Sequence, residues 1–389
     1  MEIIKLKILR IIPTMDPKKG GVAEAARQSA ILMSQEGINI DILCFDEQSE
    51  TWMNNEEFKT IGLGQYLSYF AINFKYLPWL FKNISKYDLV IIDGLWLFHL
   101  LGGYVAKFKN IPYLVYTHGM LDPYFNENKL KYLKKLPFWF LIDRNILNMA
   151  SAVVYTCEEE KLISKKSFPL YSPKEYVVTL GIEKSITKSV VLEDLFFNTF
   201  SELTDKKVVL YLSRVHPKKG LDLLIESVNQ KKDLLKKHVF VIAGSGDEKY
   251  IIQLKNLIKK YKLENYFKWV GNLSGDLKWS AFYSADTFIL PSHSENFGIV
   301  VAESLSLKTP VLITNKVNIY HEIESFNAGI VVNDTIDGIN SLLEQYINLH
   351  DEEYKDMALN AINCFEKSFS NEAYKNDFLN LIKEVSNEK

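Results

Sequence analysis

Short apolar runs recur along the chain, each closed by a polar turn and followed by apolar residues at helical spacing. Lys7 to Pro13 (KILRIIP) is the first such run. Thr14 to Gly21 is a loop ending in Gly20-Gly21, and Val22 to Glu36 can turn Ala23, Ala26, Ala30 and Met33 to one side. Ile38 to Phe45 is the next run, and Asp88 to Asp93, Pro112 to Thr117 and Ser151 to Tyr155 continue the series. A strand buried on both faces reads as a continuous apolar run, and strand–loop–helix–strand repetition implies a parallel, doubly wound sheet. The alternation starts afresh at Lys207 to Leu212 after an irregular stretch, Gly181 to Leu203. With 389 residues, the chain exceeds one ordinary core. The expected fold class is therefore α/β, with two Rossmann-like domains, residues 1–182 and 183–370.

The bulk composition excludes several classes of function. A net charge of −2 gives no overall field favouring nucleic acid. Cys44, Cys157 and Cys364 have neither metal-ligand spacing nor an even count, so a reducing, cytoplasmic setting is expected. Charges at Glu2, Lys5 and Lys7 open a strand rather than a signal peptide. No apolar run approaches the roughly 20 residues of a membrane span.

The chemistry-bearing residues lie at the carboxyl ends of these runs, where doubly wound sheets bind ligands. The run Thr287 to Leu290 ends at Pro291 and is followed by a polar turn with Glu295, Asn296, Phe297 and Gly298. Ile299, Val300, Ala302 and Leu305 then suit a helix whose free N–H groups would face outward from the sheet edge. Glu303 lies eight positions after Glu295, about 12 Å if all helical. Two carboxylates around a helix start are also common on solvated surfaces. Arg214 and Lys219 follow the run Lys207 to Leu212 as R-x4-K-G. Arginine offers phosphate a rigid fork and lysine a compact charge; two merely exposed cations would look the same. Gly244 opens a Gly-Ser-Gly turn, and Asn272-Leu273 follows the run Phe267 to Val270. Gly20-Gly21 lets backbone approach a phosphate or simply makes a tight turn. It is not G-x-G-x-x-G, which leaves a nicotinamide dehydrogenase little support. His118-Gly119 ends another run.

Taken together, Gly20-Gly21, His118, Arg214 with Lys219, and Glu295 with Glu303 resemble, in order and interval, the retaining sugar-nucleotide glycosyltransferases of family 4, which have the two-domain GT-B fold. The resemblance implies a nucleotide sugar in the cleft between domains. It implies that Gly20, Gly21, Gly244, Asn272, Leu273 and Asn296 to Ile299 contact this donor. Arg214 and Lys219 would neutralise the leaving diphosphate. Glu295 would hold the donor sugar and Glu303 the ribose, with His118 near the reacting carbon. The catalytic set is thus His118, Glu295, Arg214 and Lys219. It further implies that the last helix, about 371–389, packs back on the first domain. Where the family carries Asn-Gly this chain has Leu180-Gly181, which leaves that contact unsupported. Lys308 replaces a usual glycine.

No metal or other cofactor is expected, since no Asp-x-Asp pair is placed to hold an ion. The expected donor is UDP-glucose. The expected acceptor is a saccharide or lipid-linked saccharide in polysaccharide synthesis. An epimerase of the same fold, a pyridoxal phosphorylase and an inactive partner subunit are the alternatives. Two stretches are left over: Tyr66 to Phe81, rich in aromatics, and Lys129 to Phe140, where Lys129, Lys131, Lys134 and Lys135 alternate with aromatics. They suit a core helix with a solvated basic end, an acceptor groove, or contact with an anionic membrane. Pro137 should interrupt the helix expected over 128–148, and Thr156 should cap the helix after it.

Overall fold

The computed structural model describes residues 6–387 except 20, 55–56, 69, 127 and 185–189. The chain forms two compact units, Met1–Gly181 with Asn371–Lys389, and Ile182–Ser370. In the first, β1 (Lys7–Ile11), β2 (Asn39–Cys44), β3 (Thr60–Gly62), β4 (Leu89–Asp93), β5 (Tyr113–Tyr116), β6 (Ala152–Tyr155) and β7 (Glu175–Val177) make one sheet in the order β3-β2-β1-β4-β5-β6-β7. Every pairing in it is parallel. In the second, β8 (Lys207–Leu212), β9 (His238–Ala243), β10 (Phe267–Gly271), β11 (Thr287–Leu290), β12 (Val311–Thr314) and β13 (Gly329–Val332) follow the order β10-β9-β8-β11-β12-β13. These pairings are also all parallel.

The strand order reverses between β1 and β4 in one sheet and between β8 and β11 in the other. Loops leaving the two strands at a reversal diverge and open a crevice at the carboxyl edge. Those loops carry Arg214, Lys219 and Glu295, while His118, Gly244 and Asn272 follow β5, β9 and β10.

Strand periodicity sorts the first core into two layers. Leu9 and Ile11 enter one buried cluster; Ile8 and Ile12 enter the other with Ala26, Ala30 and Met33. The helix Asn371–Asn387 covers this second layer through Tyr374, Phe378, Leu381, Ile382 and Val385. Arg10 lies on the same side of β1 as Ile8 and Ile12, so this layer buries a guanidinium.

The interruption expected at Pro137 takes a specific form. The helix Lys129–Phe138 contains Pro137 in its last turn, a π turn follows at Trp139–Asp143, and Arg144–Met149 resumes the α-helix. Proline has no N–H to continue the ladder, and the wider turn absorbs the break. The π turn buries Trp139 and leaves Phe140 and Leu141 exposed. It also buries Asp143, whose Oδ1 accepts the Trp96 backbone N–H at 3.1 Å. Burial raises the Asp143 carboxyl to about 6, and the Trp96 N–H only partly opposes this.

A carboxyl whose folded pKa exceeds the unfolded value of ~3.9 binds its proton more tightly in the folded state. Stability therefore falls as pH rises from about 4 to about 6, by roughly 2–3 kcal/mol in all. Asp143→Asn, which keeps the acceptor for Trp96, should raise the urea midpoint at pH 8 and not at pH 4. An equal shift at both pH values would count against an ionised, desolvated Asp143.

Candidate functional site

In the second unit, β8 ends at Leu212 and the chain runs through Arg214 into a 3-10 turn, Pro217–Lys219. Gly220 then adopts φ +64°, and a Cβ there would collide with the Pro291 carbonyl oxygen. That close approach seats the β8 loop on the loop after β11, and the His293 N–H donates to Lys218 O at 2.8 Å. Lys219 consequently reaches Glu295, whose Oε2 contacts its ammonium. Burial, with Arg214 and Lys218 nearby, pulls the Lys219 ammonium down to about 8. At about 8 the ammonium still carries its charge at neutral pH, facing Glu295. Arg214 is exposed beside it.

Glu295 is not on the helix. Its N–H donates to Lys316 O at 2.8 Å and its carbonyl accepts the Asn318 N–H at 3.0 Å, so it forms an extended bridge beside Val317. Gly298 (φ +74°) then turns the chain into the helix Ile299–Ser306. A Cβ at Gly298 would stand 3.3 Å from the Glu295 Cγ. Phe297 is buried, and Asn296 and Ile299 are partly exposed at this turn. Its free N–H groups and positive dipole end suit an anion.

Glu303, inside that helix, is buried; its Oε1 accepts from Lys278 Nζ at 2.6 Å. Its Oε2 is buried with no partner among the described residues. Burial raises this carboxyl, and Lys278 opposes the rise. Lys278, on the helix Gly275–Ser284, was not expected from sequence, because nothing local links it to a residue 25 positions on.

Gly244 is explained first by packing. A Cβ there would collide with the Ser213 carbonyl oxygen, and its N–H donates to Gly271 O at 2.8 Å. Asn272, exposed, and Leu273, half-buried, follow directly on that strand end.

In the first unit, Gly21 begins the helix Gly21–Gln35, while Gly20 lies outside the described residues. His118 ends the β5 segment with φ +48°, followed by Gly119 at +75°. A non-glycine residue in this left-handed region costs of order 1 kcal/mol and must be held by its surroundings. Glu160 does the holding: its Oε1 accepts the Gly119 N–H at 2.5 Å and the Thr117 hydroxyl at 2.6 Å. Its Oε2 accepts the Thr156 N–H and hydroxyl. The N-cap position of the helix Glu158–Ser164 is Cys157, one residue after the expected Thr156, whose hydroxyl donates to Glu160.

The His118 Nε2 lies 2.7 Å from Asp93 Oδ1. Arg10 meets the same carboxylate twice, Nε to Oδ2 at 2.6 Å and Nη2 to Oδ1 at 2.7 Å. Its guanidinium sits 5.2 Å from the centroid of the Tyr116 ring. The Arg10 charge holds Asp93 well below the usual carboxylate range, against a desolvation that alone would raise it. Arg10 and Asp93 were missed in the sequence. Their signal was an arginine inside KILRIIP and an aspartate closing DLVIID, each in a run that buries both faces.

Among the described residues, no three His, Cys, Asp or Glu side chains stand close enough to hold a metal ion, and no helix is long and apolar enough to cross a membrane.

Residues 194–363 match the family model described as glycosyl transferases group 1. The chain is 24% identical to an uncharacterized glycosyltransferase of Methanocaldococcus jannaschii, over 60% of this chain and 59% of that one. The match therefore spans less than two thirds of that relative. It is 23% identical to an Escherichia coli UDP-Gal:alpha-D-GlcNAc-diphosphoundecaprenol alpha-1,3-galactosyltransferase, over 93% of this chain and 95% of that one. The fold resembles sucrose-phosphate synthase from Thermosynechococcus elongatus, with TM-score 0.75, 17% identity and coverage of 99% and 100%. It also resembles Anabaena HepE solved in complex with UDP, with TM-score 0.78, 15% identity and coverage of 97% and 100%. Over residues 194–363 the chain thus resembles the glycosyl transferases group 1 family, on a fold of GT-B type.

Proposed function

We propose that the protein transfers a hexose from a nucleotide sugar to a saccharide or lipid-linked saccharide, with retention of anomeric configuration and no metal ion. UDP-glucose is the first donor to test, because HepE is a structural neighbour solved with UDP and glucose. A lipid-linked acceptor is suggested by the E. coli relative, whose acceptor name is a sugar diphosphoundecaprenol. Polysaccharide assembly at the cytoplasmic face of a membrane is the setting that follows.

The observation that carries this reading is the meeting of Lys219 and Glu295, one from each loop at the β8/β11 reversal, beside the N-terminus of Ile299–Ser306. Breaking the bond from the anomeric carbon to the phosphate oxygen leaves a further negative charge on the diphosphate, the second on its terminal phosphate. Arg214, Lys219 and the helix N–H groups would stabilise it, and such preorganised electrostatics is the usual main source of rate. The acceptor oxygen attacks from the same face, and its proton passes to the departing phosphate oxygen. Glu295 then binds a sugar hydroxyl rather than acting as nucleophile. Glu303, with one buried oxygen unused, would accept from the ribose hydroxyls. Gly21, Gly244, Asn272 and Leu273 would supply backbone contacts to the donor. We assign His118 to the transferred sugar.

Each charge-assisted hydrogen bond contributes about 1.5–3 kcal/mol. Arg214→Ala with Lys219→Ala should therefore weaken UDP binding roughly 100-fold or more in calorimetry. Unchanged affinity would remove the phosphate role. Release of UDP that requires acceptor and survives chelation separates this reading from an epimerase and from a metal-dependent enzyme.

A further inference from the structure

The two aromatic stretches left over from the sequence meet in the first unit. The Phe70 and Phe138 rings stack with centroids 5.2 Å apart, and both are about two fifths exposed. Behind them lies a cavity of about 180 Å³, walled by Ile72, Leu97, Phe98, Leu101 and Ile142, with Trp96 and Asp143 at its side. An engineered apolar cavity of about 150 Å³ takes up benzene, so this one has room for a short branched hydrocarbon segment.

The helix that brings Phe138 to the cavity carries exposed leucines and lysines. Leu130, Leu133 and Leu141 are exposed by 72%, 58% and 71%, although such residues normally face a core. The Tyr104 hydroxyl donates to Leu141 O at 3.3 Å, leading on to Phe108 one turn along its helix. Phe108 pairs with Phe81 at 5.9 Å beneath the Lys109 ammonium. On the helix Lys129–Phe138, Lys131 and Lys134 precede Phe138 by seven and four residues and so share its face. Apolar walls beside a lysine-bearing helix face complement one kind of ligand, a hydrocarbon chain ending in phosphate.

The cavity also neighbours the chemistry assigned to this unit. Trp96 lies three residues beyond Asp93, which binds His118, and the Leu95 N–H donates to Met120 Sδ at 3.1 Å. Resting on the transferase reading above, we propose that this cavity takes a segment of the hydrocarbon chain of the phosphate-bearing lipid that carries the acceptor sugar. Lys131 and Lys134, on the face of the helix that carries Phe138, take its phosphate.

Farnesyl phosphate binding to the full chain, followed by calorimetry, tests this. The wild type should bind it more tightly than farnesol or inorganic phosphate. Leu97→Trp, which fills the cavity, should weaken binding about tenfold or more, as should Lys131→Glu with Lys134→Glu. UDP affinity and the urea midpoint should stay unchanged. If Leu97→Trp lowers the midpoint, Ile72→Phe replaces it. Equal farnesyl phosphate affinity in wild type and a folded cavity-filled variant would overturn the proposal. So would phosphatidylglycerol vesicles binding regardless of filling while farnesyl phosphate does not bind, since the face would then touch bulk lipid only. UDP binding by the wild type reports separately: its absence would sink the transferase reading, leaving the lipid site to be judged on farnesyl phosphate.

Discussion

Arg10→Met should destabilise the first unit by about 3–5 kcal/mol, and Asp93→Asn in the same chain should recover most of that loss. The Arg10 and Asp93 side chains are 3% and 0% exposed, and two short hydrogen bonds join them. Desolvating two charges is expensive, so the pair as a whole adds little. Removing one partner leaves the other charge buried and uncompensated. With Arg10 gone, the Asp93 carboxylate loses the guanidinium that meets it twice and must take up a proton to remain buried. The pH dependence then changes sign. In the wild type Asp93 is held below its unfolded value, so its contribution is complete above about pH 4 and is lost as pH falls further. In Arg10→Met the same carboxyl is raised, and stability is lost as pH increases. Asparagine at 93 removes the charge and retains an acceptor for His118. Urea midpoints for the four proteins of this cycle at pH 5 and pH 8 provide the measurement. A drop below about 1 kcal/mol for Arg10→Met would mean that water or a rearranged side chain reaches Asp93.

Glu295→Ala should lower sugar transfer about 10²- to 10³-fold while UDP affinity stays the same or improves. Both halves follow from the Lys219 contact. If Glu295 binds the sugar hydroxyls during transfer, its loss removes an interaction that matters only when sugar is present. It also frees the Lys219 ammonium from its only carboxylate partner among the described residues, leaving it available to phosphate. A purely structural Glu295 would behave differently: its truncation would let Lys219 wander and UDP affinity would fall along with transfer. Calorimetry with UDP, beside initial rates with a nucleotide sugar and acceptor, distinguishes the two. Transfer within a few-fold of wild type would end the assignment.

Two kinds of information can be separated in this chain. The sequence alone determined the two parallel sheets, because a strand covered on both faces must be apolar throughout. KILRIIP and VVLYL state that locally, without reference to a partner. It also determined the loops that carry Arg214, Lys219 and Glu295 and the helix that carries Glu303, since short spacings after a strand end are preserved in any doubly wound sheet. Only the tertiary structure decided which charges face one another. Lys278 meets Glu303 across 25 residues, Arg10 meets Asp93 across 83, and Phe70 stacks on Phe138 across 68. Such meetings depend on strand order and register. Placing β4 beside β1, with Arg10 opposite Ile91, turns an arginine in one run and an aspartate ending another into a buried pair. Neither run contains that order. It arises from how the crossovers pack, a property of the whole sheet.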